Sequence, residues 1–219
     1  MKLYHLDLFS GIAGFSFSLQ KLCEIQTNLK YKTVAYCDNN PYSQQALHHL
    51  MFRKLIHKAP LFSDVTFLTK NVLQKENVFH VDIITAGFPC QDISVMNHKG
   101  KGLQGCRSSL GFEVLRLAKE LEHPLLFFEN SPNIVHKGLS NFLDTLSKTG
   151  YHYIYDFFSA AQVGAPHFRK RFFLLAFHPQ NLSSMNVLKH FASSLSIIQN
   201  NKYKNKQTLQ ILEFNRIAH

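Results

Sequence analysis

The stretch Asp7-Leu8-Phe9-Ser10-Gly11-Ile12-Ala13-Gly14-Phe15 decides the fold, because an apolar run gives way there to a turn with two glycines. Residues 4–9 predict a buried strand, and a helical pattern follows the turn. A glycine-bearing turn between a first strand and a first helix lets the backbone approach a ligand at the carboxyl edge of a sheet. The stretch lacks the pattern Gly-x-Gly-x-x-Gly, so a dinucleotide site is weakly supported and a tight structural connection is an equal alternative.

Further apolar runs continue this pattern along the chain. They predict buried strands at residues 33–37, 81–86, 125–128 and 171–177. Two amphipathic stretches between them predict helices whose apolar faces carry Leu110, Val114, Leu117 and Leu121, and Leu139, Phe142, Leu143 and Leu146. Strands that alternate with helices indicate an α/β domain with a mostly parallel sheet. Residues 151–158 and 171–177 have no clear helix between them, which favours an antiparallel hairpin at the end of the sheet.

The length and composition predict one main domain followed by a short tail. The 219 residues are 45% hydrophobic, which is enough for one sizeable core and marginal for two. Residues 178–219 are rich in Asn, Ser and Lys, and both helical and disordered states are open for them. We therefore expect a domain at 1–177 and a polar, basic tail at 178–219, with a soft boundary near His178–Pro179.

The charge balance favours a polyanionic partner. Lys and Arg number 24 against 14 acids, a net charge of +10, and nucleic acid is the usual partner of such a chain. A basic enzyme whose charge serves solubility is the alternative. No run of about 18 apolar residues occurs and Asp7 interrupts the first apolar run, so we expect no membrane span, no secretory signal and an intracellular location. The four cysteines form no Cys-x-x-Cys pair, which fits neither a zinc site nor a disulfide scaffold, and no metal is expected.

Two acids follow predicted strands or turns early in the chain. Asp38, in Cys37-Asp38-Asn39-Asn40, is placed to accept hydrogen bonds from the hydroxyls of a ribose. Asp38 is equally well placed to cap a helix that starts at Pro41, and both roles are compatible. Asp64, in Phe62-Ser63-Asp64-Val65, is ambiguous in the same way.

The stretch Ala86-Gly87-Phe88-Pro89-Cys90-Gln91-Asp92-Ile93-Ser94 directly follows the predicted strand 81–86. Cys90 is therefore expected at the carboxyl edge of the sheet, beside the first turn. An exposed thiol at this place is better explained as a nucleophile than as a core residue. Residues 97–107 are rich in Gly and Lys, which suits a mobile loop that closes over a polyanion or a plain surface loop.

Two charged segments follow later strands. Glu129, in Glu129-Asn130-Ser131-Pro132, suits an acid–base or hydrogen-bonding role, and capping of the next helix is an equal alternative. Residues 162–171 contain Arg169 and Arg171, which would share one face of an extended segment. These arginines are suited to bind phosphate or to hold a carboxylate such as Glu129, and a solvated basic run is the alternative.

Taken together, these segments resemble the cytosine-5 DNA methyltransferase family. Asp7-Leu8-Phe9-Ser10-Gly11-x-x-Gly14 is similar to its cofactor motif, and Gly87-Phe88-Pro89-Cys90-Gln91 to its nucleophile loop. Glu129-Asn130 is similar to its glutamate motif, and residues 162–171 to its arginine-pair motif. The four motifs occur in the order of the family, and the resemblance covers about residues 3–177. It implies a Rossmann-like, S-adenosylmethionine-dependent methyltransferase fold.

The resemblance also implies a set of functional residues. S-adenosylmethionine is the implied cofactor, with Asp38 on the ribose hydroxyls and Asp64 and Val65 near the adenine. The implied cofactor residues are Phe9, Ser10, Gly11, Gly14, Asp38, Asp64, Val65, Pro89 and Leu110. The implied catalytic residues are Cys90, Glu129, Arg169 and Arg171, and Gln91, Ser94 and Arg107 are implied to contact nucleic acid. Double-stranded DNA is the implied substrate, with the target cytosine flipped out of the helix.

The sequence departs from the family in three places. Ser131 stands where Val is usual, and His167 stands where Gln is common. The target-recognition region and the last two motifs of the family are not recognisable in residues 178–219. Three interpretations follow: a minimal methyltransferase with little sequence specificity, a catalytic chain whose recognition surface lies on a second protein, or a non-enzyme that binds DNA or cofactor. A tRNA-cytosine methyltransferase is a further enzymatic alternative.

Overall fold

A computed structural model describes residues 1–25, 28–89, 110–136, 138–181 and 186–187. Seven strands in this part of the chain form one sheet: β1 (Lys2–Leu8), β2 (Lys30–Cys37), β3 (Leu61–Phe62), β4 (Ile83–Ala86), β5 (Leu125–Asn130), β6 (His152–Ser159) and β7 (Lys170–Phe177). Their order across the sheet is β3-β2-β1-β4-β5-β7-β6. The first five strands are parallel, whereas β7 is antiparallel to both β5 and β6. The predicted parallel sheet with an antiparallel final hairpin is thus confirmed.

Five α-helices connect these strands among the described residues: α1 (Gly14–Ile25), α2 (Pro41–Phe52), α3 (Lys70–Lys75), α4 (Leu110–Glu120) and α5 (Leu139–Lys148). Short 3-10 turns occur at Val65–Phe67, Pro132–His136 and Ala160–Val163. None of these helices is long and apolar enough to cross a membrane. The short elements β3 and α3 were not predicted, because two and six residues are too few to show a hydrophobic period.

Phenylalanine supplies much of the packing between the sheet and the helices. The ring centroids of Phe88 and Phe128 lie 5.8 Å apart, and those of Phe128 and Phe142 lie 5.3 Å apart, both edge to face. Full burial of such a ring contributes about 1.5–3 kcal/mol. A Cβ at Gly111 would come within 3.1 Å of Phe142 and 3.2 Å of Phe88, so the glycine lets α4 approach this cluster. The apolar positions predicted for α4 and α5 therefore face the core.

The first residues after the expected domain boundary contact the domain. The His178 ring stacks on His123, with centroids 4.1 Å apart, and the side chain of Asn181 donates to the main-chain oxygen of Glu122 over 2.7 Å. Val187 is buried in a cluster with Leu125 and Phe177 among others. The division at His178–Pro179 stays a prediction.

Candidate active site

The strand ends that carry the predicted site residues meet at one edge of the sheet. Strands β1, β2, β4 and β5 are parallel, so their carboxyl ends share this edge. Strand β7 runs the other way, so Lys170 and Arg171 at its beginning lie there too. Ligands of open α/β sheets bind outside the carboxyl ends of the strands. The topology therefore brings the separate sequence segments to one place.

The turn after β1 has an unusual backbone. Phe9, Gly11 and Ala13 have φ of 54°, 52° and 64°, all in the left-handed region. For residues other than glycine this conformation costs about 1–3 kcal/mol, and such strain concentrates at ligand sites. The hydroxyl of Ser10 donates to the main-chain oxygen of Asp7 over 2.6 Å. Ser10 thus uses its side chain to shape the turn.

Asp38 joins this turn to the end of β2. Its Oδ2 accepts from the N–H of Gly11 over 2.7 Å, and its Oδ1 accepts from the N–H of Asn40 over 2.9 Å. Asn40, and not Asp38, caps α2, because the Asn40 side chain accepts from the N–H of Tyr42 over 2.8 Å. Asp38 therefore does not cap the helix. Its carboxylate holds the glycine turn instead, and the residue is only 8% exposed.

An open cleft lies beside Asp38. Five predicted cofactor residues line it: Phe9, Asp38, Asp64, Val65 and Leu110. Cys37, Asn39 and Ser63 also line it and were not predicted, although each is next in sequence to a predicted residue or acid. Gly14, the first residue of α1, and the exposed Pro89 are not among the lining residues.

Asp64 does act as a cap. Its Oδ1 accepts from both the N–H and the hydroxyl of Thr66, each over 2.8 Å, at the start of the 3-10 turn Val65–Phe67. The bonds keep Asp64 at the rim of the cleft, where Val65 is buried. The capping alternative is thus realised for Asp64, and its proximity to a ligand stays a prediction.

Glu129 and Arg171 form an ion pair at the carboxyl edge. The Arg171 Nε lies 2.7 Å from the Glu129 Oε1, and both side chains are partly exposed, at 26% and 29%. The pair spans the antiparallel strands β5 and β7. Glu129 is the fifth residue of β5, and Ser131 accepts a hydrogen bond from the N–H of Asn133 at the following 3-10 turn. Arg171 therefore holds a carboxylate, which is one of the interpretations given for it above.

Arg169 is placed differently from Arg171. It lies one residue before β7, its side chain is exposed, and its main-chain oxygen accepts from the N–H of Ala160 over 2.9 Å. This bond extends the pairing of β6 and β7 beyond the ends of the strands. A cation that faces solvent next to the ion pair is suited to contact phosphate, as predicted for Arg169.

Two further residues shape the surroundings of Glu129. A Cβ at Gly87 would lie 3.4 Å from the Glu129 Oε2 and 3.8 Å from the ring of Phe15, both ordinary van der Waals contacts, so the main chain at Gly87 lies close to the carboxylate. Asn130 is buried, and its side-chain N–H donates to the main-chain oxygen of Phe88 over 3.0 Å. Asn130 therefore fixes the segment that follows β4, a role that its place in the sequence did not specify.

The remaining predicted residues lie outside the described part of the chain. These are the predicted nucleophile Cys90 and the predicted nucleic-acid contacts Gln91, Ser94 and Arg107. Pro89 and Leu110 flank this segment, and Leu110 lines the cleft. The described residues thus place the flanks of the segment at the edge that holds Glu129 and Asp38.

The two described cysteines, Cys23 and Cys37, lack the low thiol pKa that a nucleophile needs. Burial, together with the nearby acids Asp64 and Asp38, raises the pKa of the Cys37 thiol to about 12. Burial also raises the pKa of Cys23. A nucleophilic cysteine needs a thiolate, so neither group is suited to attack a substrate near neutral pH.

Comparison with known proteins finds a matching family model and related proteins. The sequence model of the family described as C-5 cytosine-specific DNA methylase matches residues 3–218, beyond the expected end of the resemblance at 177. The type II methyltransferase M.CviJI of Paramecium bursaria Chlorella virus IL3A is 31% identical over 172 residues, which are 78% of this chain and 42% of that protein. The type II methyltransferase M.HhaI of Haemophilus parahaemolyticus is 26% identical over 191 residues, 85% of this chain and 53% of that protein.

Solved structures share the fold. A DNMT2 mutant from Spodoptera frugiperda superimposes with a TM-score of 0.61 at 23% identity, over 82% of this chain and 51% of that chain. The Dnmt2 methyltransferase of S. pombe superimposes with a TM-score of 0.60 at 20% identity, over 83% of this chain and 51% of that chain. The chain therefore spans about half of the length of these two proteins of known structure. It spans 42% and 53% of the length of the two curated relatives named above.

Proposed function

The chain belongs to the C-5 cytosine-specific DNA methylase family, and from this we propose that it transfers a methyl group from S-adenosylmethionine to C5 of a cytosine in DNA. The observation that carries the proposal is the Glu129–Arg171 ion pair at the carboxyl edge, close to the main chain at Gly87. Strand β4 ends at this edge, and Cys90, the proposed nucleophile, follows it by four residues in the sequence. The reaction needs a carboxylate, a guanidinium and a thiol, and we propose that Glu129, Arg171 and Cys90 supply them.

We propose that the cleft beside β1 and β2 holds the nucleoside part of the cofactor. Asp38 is the proposed acceptor for the ribose hydroxyls, and Phe9 and Val65 supply apolar surface for the base. The left-handed turn at Gly11 is held beside this proposed site, because its N–H donates to Asp38. S-adenosylmethionine, when bound, would supply a methyl group from a positively charged sulfur, and that sulfur would keep the electrons of the broken bond as a neutral thioether. Leu110 would close the cleft on the methionine side.

The proposed chemistry starts at Cys90. C5 of cytosine is a poor nucleophile, and attack of the Cys90 thiolate on C6 makes it electron-rich by moving the ring electrons toward C5 and N3. A proton shared between one Glu129 oxygen and N3 would neutralise the charge that develops there, while the side chain accepts from the exocyclic amine and Arg171 keeps it in place. After C5 has gained the methyl group, a base removes the C5 proton and Cys90 departs, which restores the ring.

The substrate has to leave the DNA stack before this chemistry is possible, because C5 and C6 cannot be reached inside a duplex. We propose that Arg169, Gln91, Ser94 and Arg107 contact the DNA around the flipped cytosine. The net charge of +10 predicts that binding to duplex DNA falls steeply as salt rises. A DNA substrate also implies that the protein acts inside the cell.

A catalytic chain that needs a second protein for target recognition is the second candidate. The residues given span 42% and 53% of the two curated relatives named above, and in this candidate a second protein would supply target recognition. A chain that only binds DNA or cofactor, and a methyltransferase acting on tRNA, are the other outcomes of the same assay.

The experiment is transfer of labelled methyl groups from S-adenosylmethionine to unmethylated duplex DNA of mixed sequence. Parallel reactions contain tRNA in place of DNA, or the Cys90→Ser variant as control. Label in DNA that depends on Cys90 supports the proposal, and label in tRNA alone supports the alternative substrate. Cofactor binding without transfer to either nucleic acid supports the two-chain candidate, whereas transfer that survives Cys90→Ser contradicts the proposed nucleophile.

A further inference from the structure

Five buried polar side chains form a closed ring beneath the turn after β1: His5, Asp7, Ser16, Thr33 and Thr85. Each is at most 2% exposed. Asp7 Oδ1 lies 3.1 Å from the Thr85 hydroxyl, which lies 2.7 Å from His5 Nε2. His5 Nδ1 lies 3.2 Å from the Thr33 hydroxyl, which lies 3.2 Å from the Ser16 hydroxyl. The Ser16 hydroxyl closes the ring on Asp7 Oδ2 at 2.7 Å.

The number of protons decides whether every contact in this ring is a hydrogen bond. Three hydroxyls and a neutral imidazole supply one proton each, which makes four protons for the five contacts. An ionised Asp7 adds none, so one contact between two acceptors would have no proton. A protonated Asp7 supplies the fifth proton, and all five contacts are then satisfied in one direction around the ring. Buried polar groups are costly when they are left unpaired, so the neutral acid is favoured.

The surroundings of the ring also oppose a charge on Asp7. Among the described residues no cation pairs with this carboxylate, and Asp38 adds a second acid nearby. Burial raises the pKa of Asp7 to about 7, although the hydrogen bonds from Ser16 and Thr85 act in the opposite direction. Burial, with His57 nearby, lowers the pKa of His5 to about 3, so the imidazole supplies no positive charge.

The other titratable groups near the ring are Tyr31 and Tyr36 on β2 and His57 after α2. His57 Nδ1 accepts from the N–H of Thr33 over 3.3 Å, and burial lowers the pKa of His57. Burial raises the pKa values of Tyr31 and Tyr36 well above neutral pH, so both phenols stay uncharged. Tyr31 donates its hydroxyl proton to the main-chain oxygen of Ser16 over 2.8 Å. The ring members on β4 and α1 are Thr85 and Ser16, and neither side chain carries a charge. Asp7 is therefore the group of the ring whose charge can change near neutral pH.

We propose that Asp7 is a neutral carboxylic acid in the folded protein and a positioning residue for the candidate active site. The ring connects β1, β2, β4 and α1 directly below two functional segments. Asp7 leads into the turn at Phe9–Gly11, and Thr85 is one residue from the end of β4, which leads toward Cys90. Ionisation of Asp7 breaks one contact and places an unpaired charge between these segments. The positioning role of Asp7 rests on the proposed function where it concerns cofactor binding, whereas the neutral state of its carboxyl group does not.

The first test measures the ionisation of Asp7 itself, by NMR of carboxyl carbons in the labelled full-length chain. We expect Asp7 to titrate near pH 7, well above the ordinary value of 3.8. Thr33→Val should lower this midpoint, although Thr33 does not touch the carboxylate. The substitution removes two of the five contacts, and Ser16, Thr85 and neutral His5 supply a proton for each of the remaining three, so ionised Asp7 leaves no contact without a proton. Thr145→Val, on the exposed side of α5, is the matched control. An Asp7 already ionised near pH 6, or a midpoint unmoved by Thr33→Val, overturns the proposal.

The second test measures the affinity for S-adenosylmethionine by calorimetry between about pH 6 and pH 8. Wild-type affinity should fall as pH rises through about 7, whereas Asp7→Asn, whose amide both donates and accepts, should show a flat profile. Equal pH profiles for the two proteins overturn the positioning role. If the wild type binds no cofactor at any pH, the proposed function fails, and the NMR titration still decides the state of Asp7.

Discussion

Replacing Asp38 by alanine separates two roles of this carboxylate, since it holds the turn after β1 and is the proposed acceptor for a ribose. The substitution removes the acceptor for the N–H of Gly11 at 2.7 Å and for the N–H of Asn40 at 2.9 Å. Hydrogen bonds to a charged group contribute about 1.5–3 kcal/mol each. Two such bonds set an upper limit of about 3–6 kcal/mol, and water entering at the rim of the cleft replaces part of them. We therefore expect the free energy of unfolding to fall by about 2–4 kcal/mol.

The effect on cofactor binding is a separate quantity. If Asp38 accepts hydrogen bonds from the ribose hydroxyls, its loss costs about 1–3 kcal/mol of binding, which is a Kd about 5- to 150-fold higher. Calorimetric titration with S-adenosylmethionine measures this, and denaturant unfolding measures the stability of the same samples. An analogue without ribose hydroxyls should bind the wild type more weakly, but should lose little further affinity in Asp38→Ala.

The control is Asn40→Ala, which removes the cap of α2 and leaves the Asp38 carboxylate in place. Loss of a helix cap costs about 1 kcal/mol of stability, and we expect the cofactor Kd to be unchanged. Asp38→Ala with reduced stability but an unchanged Kd would refute the ribose role. Asp38 would then only hold the glycine turn.

Three further substitutions test other parts of the site and its support. Arg171→Ala leaves Glu129 without its partner at 2.7 Å, and methyl transfer should fall about 10- to 150-fold at unchanged cofactor Kd; equal activity would contradict the role of the pair. Gly150→Ala places a Cβ 2.6 Å from His178 at φ 85°, and chemical unfolding should show a loss of about 1–3 kcal/mol, whereas an unchanged midpoint would refute the close contact. Burial and His123 lower the pKa of His178, so the folded state binds fewer protons and stability should fall as pH drops below 6.5. His178→Phe should weaken that dependence, and an identical profile would exclude His178 as its source.

The parallel core was predictable because its strands are buried along their whole length. Residues 125–128 and 81–86 form nearly continuous apolar runs, as expected for strands covered by helices. The residues that follow such runs reach the carboxyl edge by topology alone. For this reason Asp38 and Glu129 could be placed at one edge before their contacts were known, whereas Arg171 reaches that edge because it begins the antiparallel strand β7.

Choices between neighbouring polar residues could not be made from the sequence. Asp38 and Asn40 are both good helix caps, and only the backbone path after β2 assigns the cap to Asn40. The ring around Asp7 was not predictable either, because Thr33 and Thr85 read as ordinary strand residues. Their contacts with His5 and Asp7 join positions that are far apart in the chain, and such pairs have no local pattern.

The most direct test of the central claim is a covalent trap at Cys90. Duplex DNA that contains 5-fluorocytosine is incubated with the full-length chain and S-adenosylmethionine, and the products are digested and analysed by mass spectrometry. Fluorine at C5 cannot leave as a proton does, so the bond between sulfur and C6 should persist after methyl transfer. We expect an adduct on the peptide that carries Cys90 and none in Cys90→Ser. An adduct on another cysteine, or none although cofactor and DNA are both bound, would contradict the account.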